Sequence, residues 1–286
     1  MGTSKGYGGP ASGLVPSWVD DVGPPVVPAQ PANDPLNVSP EPTAQPSSNP
    51  RHDRPPIDNS GTSALSGARG NFTRFARTGS QSSLGRALST YVRKGTGGAS
   101  RAARRMGASR VAAGRLLGVI RDVQQLGAAE VLRQLNLAGL AGQPASNVFL
   151  AMLEFVCPAG GAIDEAVARQ AMLENIGELA ATSDGSFEDM TSEQMNDFFL
   201  DFVGQSIEGM VMADLGGRGI TLPDDVAAVE RMQRQLHSFI TGSTRGRLSD
   251  RLEGLPRLTD QEVNQVVSRI YEAAFELIAA AGESAE

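Results

Sequence analysis

Few side chains in this sequence are suited to acid–base or nucleophilic chemistry: one cysteine, Cys157, and two histidines, His52 and His237. Cysteine–histidine catalysis needs the thiol, a base and a group that orients the base. His52 falls in a proline-rich stretch, and His237 stands among Gln, Leu and Ser with no evident orienting carboxylate. Cys157 precedes Pro158 at the end of an apolar helical face, the setting of a buried structural thiol. A lone cysteine makes no intrachain disulfide and no multi-cysteine zinc site, and two histidines do not supply a histidine-based metal centre. Lys94-Gly-Thr-Gly-Gly98 ahead of a helix has the make-up of an anion cradle. No Gly-Lys-Ser/Thr follows, so it is not a Walker A loop, and a hinge between helices fits it better. Asp184-Gly-Ser-Phe-Glu-Asp189 begins like a calcium loop but has Asp189 and Met195 where Gly and Glu are required. It reads as a linker.

The remaining chemistry is charge. From Asn59 to Arg121 the chain carries twelve Lys or Arg and no Asp or Glu, with Asp58 and Asp122 as brackets. Arg93, Lys94, Arg101, Arg104, Arg105, Arg110 and Arg115 form its basic patch. The net charge of −7 hides a dipole: about −3 over residues 1–50, +11 over 51–133 and −15 over 134–286. The collar can lie on its own acidic body, meet an acidic protein, or grip a nucleic-acid backbone. No aromatic residues interleave the arginine cluster, which weakens stacking on single strands. Nucleic acid is therefore the less favoured alternative.

These residues must be positioned by helices. Ser82 to Arg93 forms one, ending at Lys94-Gly95, and Gly97-Gly98 separates it from a second over roughly 100–126 with Leu116, Val119, Val123 and Leu126 on one face. If that helix is straight, Arg101, Arg104, Arg105 and Arg115 share an azimuth. Ala128 to Leu137 is short. Pro144 suits the first position of the next, with Val148, Met152, Phe155 and Val156 facing inward. Ile163 to Ala180 follows. Thr191-Ser-Glu-Gln194 and Thr259-Asp-Gln-Glu262 are capping boxes, and Pro223 opens a helix with Asp224 and Asp225 at its positive end. No segment alternates in the manner of a strand. The expectation is an all-α fold, a helical bundle-like domain behind a long Pro/Gly-rich disordered N-terminal arm.

Thirteen of the 17 prolines lie within the first 56 residues, among Gly, Ser, Asn and Gln. Such a stretch cannot bury enough apolar surface to offset its ordering entropy. Three regions follow: an arm over 1–60, a basic helical segment over 61–127 and an acidic helical domain over 128–286. Neither a signal peptide nor a membrane-spanning run is evident, so a cytoplasmic location without membrane contact is expected. Within the arm, Gly2 permits removal of Met1, and Gly6 stands where myristoylation requires Ser or Thr. Trp18, flanked by Leu14-Val-Pro-Ser and Val19, is either a docking anchor or a side chain that folds back on its own domain.

Two passages, Met1-Gly-Thr-Ser-Lys-Gly-Tyr-Gly-Gly-Pro10 with Leu14-Val-Pro-Ser-Trp18, and Tyr91 to Arg110, carry a resemblance. The chain resembles the B components of the Qat anti-phage defence system, a bacterial four-gene cassette. The resemblance implies an accessory protein, not an enzyme, with no cofactor and no catalytic residues to carry over. It implies as partners an ATPase, an enzyme similar to the QueC deazaguanine synthetases, and a TatD-like nuclease. Enzymes of the QueC type activate a carboxylate with ATP and let an amine attack it. The Gly2 α-amine, with a pKa near 8 and no Cβ beside it, would suit that attack as a modification site. Thr3, Ser4, Gly6, Gly8 and Gly9 would thread the partner's pocket, with Trp18 as anchor.

Overall fold

Ser66–Thr78 forms the first helix, α1, of the computed structural model, which describes residues 64–182, 185–216 and 225–285. The sequence reading did not mark α1 as a helix. Gly67, Gly70 and Thr73 give it low intrinsic propensity, and no side chain caps its start. Burial of Ala68, Phe72, Phe75 and Ala76 holds it instead. Phe72 and Phe75 meet edge to face at 5.7 Å. Helix α2, Gln81–Thr90, starts on the Ser80 hydroxyl, which accepts from Ser83 N at 3.3 Å. It runs into one π-helical turn, Tyr91–Gly95, closed by Thr96 N on the Tyr91 carbonyl at 2.8 Å.

The long helix expected over 100–126 is two helices, α3 (Ala99–Arg105) and α4 (Gly107–Leu126). Met106, whose side chain is fully buried, leaves helical geometry at ψ 42°. The Asp164 carboxylate accepts from Ala108 N at 3.2 Å, satisfying a donor orphaned at the new helix start. The common azimuth expected for Arg101, Arg104, Arg105 and Arg115 is therefore lost at the break. Then come α5 (Ala128–Gln134), α6 (Ala145–Ala151), α7 (Leu153–Val156), α8 (Ile163–Thr182), α9 (Ser192–Gly216), α10 (Val226–Leu248) and α11 (Asp260–Ser284). Both capping boxes form, at Thr191/Gln194 and Thr259/Glu262. Asp225 caps α10 through Ala227 N at 3.1 Å, while Pro223 and Asp224 lie outside the described residues. Pro144 is the N-cap of α6 rather than its first residue. Phe155, expected to face inward, is 49% exposed, because the helix breaks at Met152 and α7 restarts with a shifted face.

Helix α11 is the axis. Val263, Val267, Ile270 and Ala274 are buried, as are Tyr271, Phe275 and Ile278, while Leu277 and Ala281 are half-buried, because α2, α3, α4 and α10 all pack on it. Met195, Phe198, Phe199, Phe202 and Met210 of α9 are buried against α8, α10 and α4. Phe198 stacks on Phe149 at 4.0 Å. At the centre the fully buried Tyr271 hydroxyl meets Ser206 Oγ at 2.8 Å and donates to the Ser109 carbonyl at 3.4 Å, joining α11, α9 and α4. The fold is all-α among the described residues, and the basic and acidic helices share one core within the unit Pro55–Glu286. The arm expected over 1–60 lies outside the described residues.

Candidate functional site

Among the described residues, three cations of the basic segment, Arg93, Arg105 and Arg121, pair with carboxylates. Asp214, in the last turn of α9, collects three of its residues. Its carboxylate accepts from the Tyr91 hydroxyl at 2.9 Å and from Arg105 Nη2 at 2.8 Å, and its backbone carbonyl accepts from Arg69 Nη2 at 2.9 Å. An acid at a helix C-terminus opposes the macrodipole, whereas cations there favour it and hydrogen-bond the orphan carbonyls. Arg69 and Arg105 compensate both. Burial, with the Asp214 carboxylate beside it, raises the pKa of the Tyr91 phenol far above its ordinary value.

Other cations of the patch are engaged one by one. Arg93 pairs with Glu283, its Nη2 donating at 2.8 Å. Arg110 Nη2 donates to Ser268 Oγ at 2.6 Å. Arg115 Nη1 donates to the Phe155 carbonyl at 3.3 Å. Arg121, with its side chain only 12% exposed, bridges Asp122 and Asp260, each at 2.7 Å. Lys94, Arg101 and Arg104 stay exposed beside the Gly97–Gly98 turn, whose φ angles of 79° and 107° suit glycine. Arg104 donates only to Ser100 Oγ, at 3.0 Å. Gly2, Thr3, Ser4, Gly6, Gly8, Gly9 and Trp18 lie outside the described residues.

Cys157 is buried, and desolvation pushes its thiol up to about 11. Its Sγ sits 3.6 Å from the Ala168 carbonyl, in keeping with a packing role. His237 does have an orienting carboxylate: Glu208 Oε2 lies 3.0 Å from its Nδ1, across from α9. Twenty-nine positions separate the two, so nothing local in the sequence announces the pair. The hydrogen bond that Glu208 accepts is the main cause holding the His237 pKa above its usual value, with Glu178 and Asp201 adding to it. A raised histidine pKa contributes stability that is complete below the unfolded value near 6.5 and is lost as pH rises through the folded value. His237→Gln should therefore lower the melting temperature relative to wild type at pH 6, with the difference shrinking as pH rises through the folded value. A constant difference across that range, read by thermal melts, would remove the pair from the pH response.

The family model described as Qat anti-phage system associated protein QatB matches residues 97–278. The chain belongs to the QatB family. That stretch runs from the Gly97–Gly98 turn through α3 to most of α11, and so takes in Asp214, Tyr271 and the Arg101–Arg121 cations. Membership makes the chain a component of an anti-phage defence system. No curated protein and no solved structure matches it. Among the described residues, no helix is long and apolar enough to cross a membrane.

Proposed function

We propose that this QatB-family chain is a non-catalytic adaptor of the Qat system. It offers its N-terminal glycine peptide, Gly2 to Gly9 with Trp18 as anchor, to a QueC-like enzyme, and it scaffolds the ATPase of the same system. The observation that supports the reading is the pairing of three arginines of the basic segment with carboxylates of the same folded unit. Asp214, Glu283 and Asp260 link Arg105, Arg93 and Arg121 to the acidic helices, which ties the segment into one helical platform. In this reading the Gly2 amine attacks an activated deazaguanine carboxylate, forming an amide and releasing the activating group. Intact-mass spectrometry after co-expression with the QueC-like enzyme should show a mass gain confined to Gly2. Deleting residues 1–20 should abolish capture of that enzyme; an unmodified N-terminus in an active system would rule the proposal out.

A second reading, nucleic-acid binding through residues 93–121, draws on Lys94, Arg101 and Arg104, which remain exposed. With Arg110 and Arg115 also meeting no carboxylate among the described residues, such binding would weaken as salt rises.

A further inference from the structure

A hollow of about 420 Å³ opens between α8 and α10 over the first turns of α9. A second, of about 690 Å³, shares Asp197 and Arg245 with it. Glu178, Asp197 and Asp201 line the first, and Glu193 and Asp197 the second, with Arg245 as the one cation in either lining. Arg245 holds Asp197 at 2.8 Å and Asp201 at 3.5 Å, while Glu178 and Glu193 pair with no cation among the described residues. Four carboxylates against one guanidinium leave three negative charges uncompensated in the lining.

Carboxylates on a surface are commonly just solvated. Asn175 is a different matter, because it lines the same hollow and is only 3% exposed. Its Nδ2 donates to the Phe198 carbonyl at 2.7 Å, and since a carbonyl can only accept, the orientation of the amide is fixed. The Asn175 Oδ1 meets no donor among the described residues and is left to the hollow, one turn from Glu178. A polar side chain buried to this degree normally has its acceptors filled. An open acceptor beside an unpaired carboxylate calls for a donor that carries positive charge. Burial holds the Asp201 carboxyl above its ordinary value even with Arg245 and His237 nearby, and the Asp197 and Glu178 carboxylates add to the rise. A further cation would relieve that repulsion.

We propose that this hollow receives a lysine or arginine side chain from a basic segment of a partner protein. The charged head would sit among Glu178, Asp197 and the Asn175 Oδ1, and the aliphatic stem would lie along Leu179 and Phe198. The adjoining hollow gives the flanking residues of that segment room to pass Thr241 and Gly242 of α10. A nucleic acid would be repelled here. Among the described residues no three His, Cys, Asp or Glu gather as a metal ion requires.

The inference rests on the adaptor reading but uses a different surface from the N-terminal peptide. Full-length wild type and the variants Glu178→Arg, Asp197→Lys and Glu174→Arg are titrated against each other protein of the Qat system, purified singly, and a thermal melt confirms that each variant is folded. Glu174 stands one turn from Glu178 on α8, exposed and outside the hollow. One of those proteins should lose about tenfold or more in affinity for Glu178→Arg and Asp197→Lys. It should keep its affinity within about twofold for Glu174→Arg and for deletion of residues 1–20. Its affinity for wild type should also fall as salt rises. Should Asp197→Lys fail to fold, Glu178→Arg decides alone, because Glu178 is exposed and holds no cation among the described residues. Wild-type binding undiminished by Glu178→Arg overturns the hollow proposal alone, and so does an equal loss for Glu174→Arg, which would mean that only overall charge matters. Absence of binding by wild type to any of them overturns the adaptor reading and this inference together. Binding of spermine by wild type, lost in Glu178→Arg while every protein stays bound, assigns the hollow to a free amine and overturns it. A wild-type dimer by light scattering that Glu178→Arg dissolves assigns the hollow to a second copy and also overturns it.

Discussion

Gly85→Leu should lower the stability of the folded chain by at least about 2 kcal/mol, since inserting side-chain volume into a close-packed contact typically costs 1–3 kcal/mol. Helices α2 and α11 cross with their backbones in contact at this point. A Cβ on Gly85 would lie 2.8 Å from the Gly282 carbonyl oxygen, and one on Gly282 would collide with the Gly85 carbonyl oxygen. The obstacle on each side is backbone, which cannot rotate away as the end of a side chain can. For a folded unit of this size the expected loss is roughly 4–8 °C in melting temperature. Gly70→Ala is the matched control. It lies exposed inside α1, a Cβ there meets nothing within 4 Å, and the exchange should stabilise by about 0.5–1 kcal/mol. Equal melting of Gly85→Leu and wild type would mean that the two helices do not cross at these glycines.

Asp214→Ala is the second large effect. The nearly buried Tyr91 hydroxyl would lose its acceptor, and an unsatisfied buried polar group costs about 1–3 kcal/mol. The Arg105 pair adds little, because its side chain is 46% exposed. Asp214→Asn keeps an acceptor for Tyr91 and should cost well under half as much. In a double-mutant cycle, Tyr91→Phe should erase most of the penalty of Asp214→Ala. Strict additivity of the two changes by denaturant titration would show that the hydroxyl and carboxylate do not act together.

The helices from α5 onward were legible because their signals are local. Capping boxes at Thr191 and Thr259, and the aromatic and methionine stripe of α9, need only neighbouring residues to be read. The element that escaped, α1, has no cap and poor propensity; only the packing of Phe72 and Phe75 against distant helices makes it a helix. The break at Met106 likewise interrupts a pattern that continues on both sides of it in the sequence. Phe155 was misjudged because a helical stripe was carried past the interruption at Met152. Internal pairing of the collar was weighed from net charge, but its acceptors were not identifiable. Asp214 carried one readable clue, a lone acid at the end of an apolar helix, where it needs a cation nearby. Its partners Arg105 and Tyr91 lie 109 and 123 positions away, too far for any local pattern to assign.

The pairing of Arg93 with Glu283 spans 190 positions. At the 5–20 residues per second of translation, roughly 10–40 s pass between the synthesis of the two. Through that interval Arg93 stands without its acidic counterweight, next to ribosomal RNA.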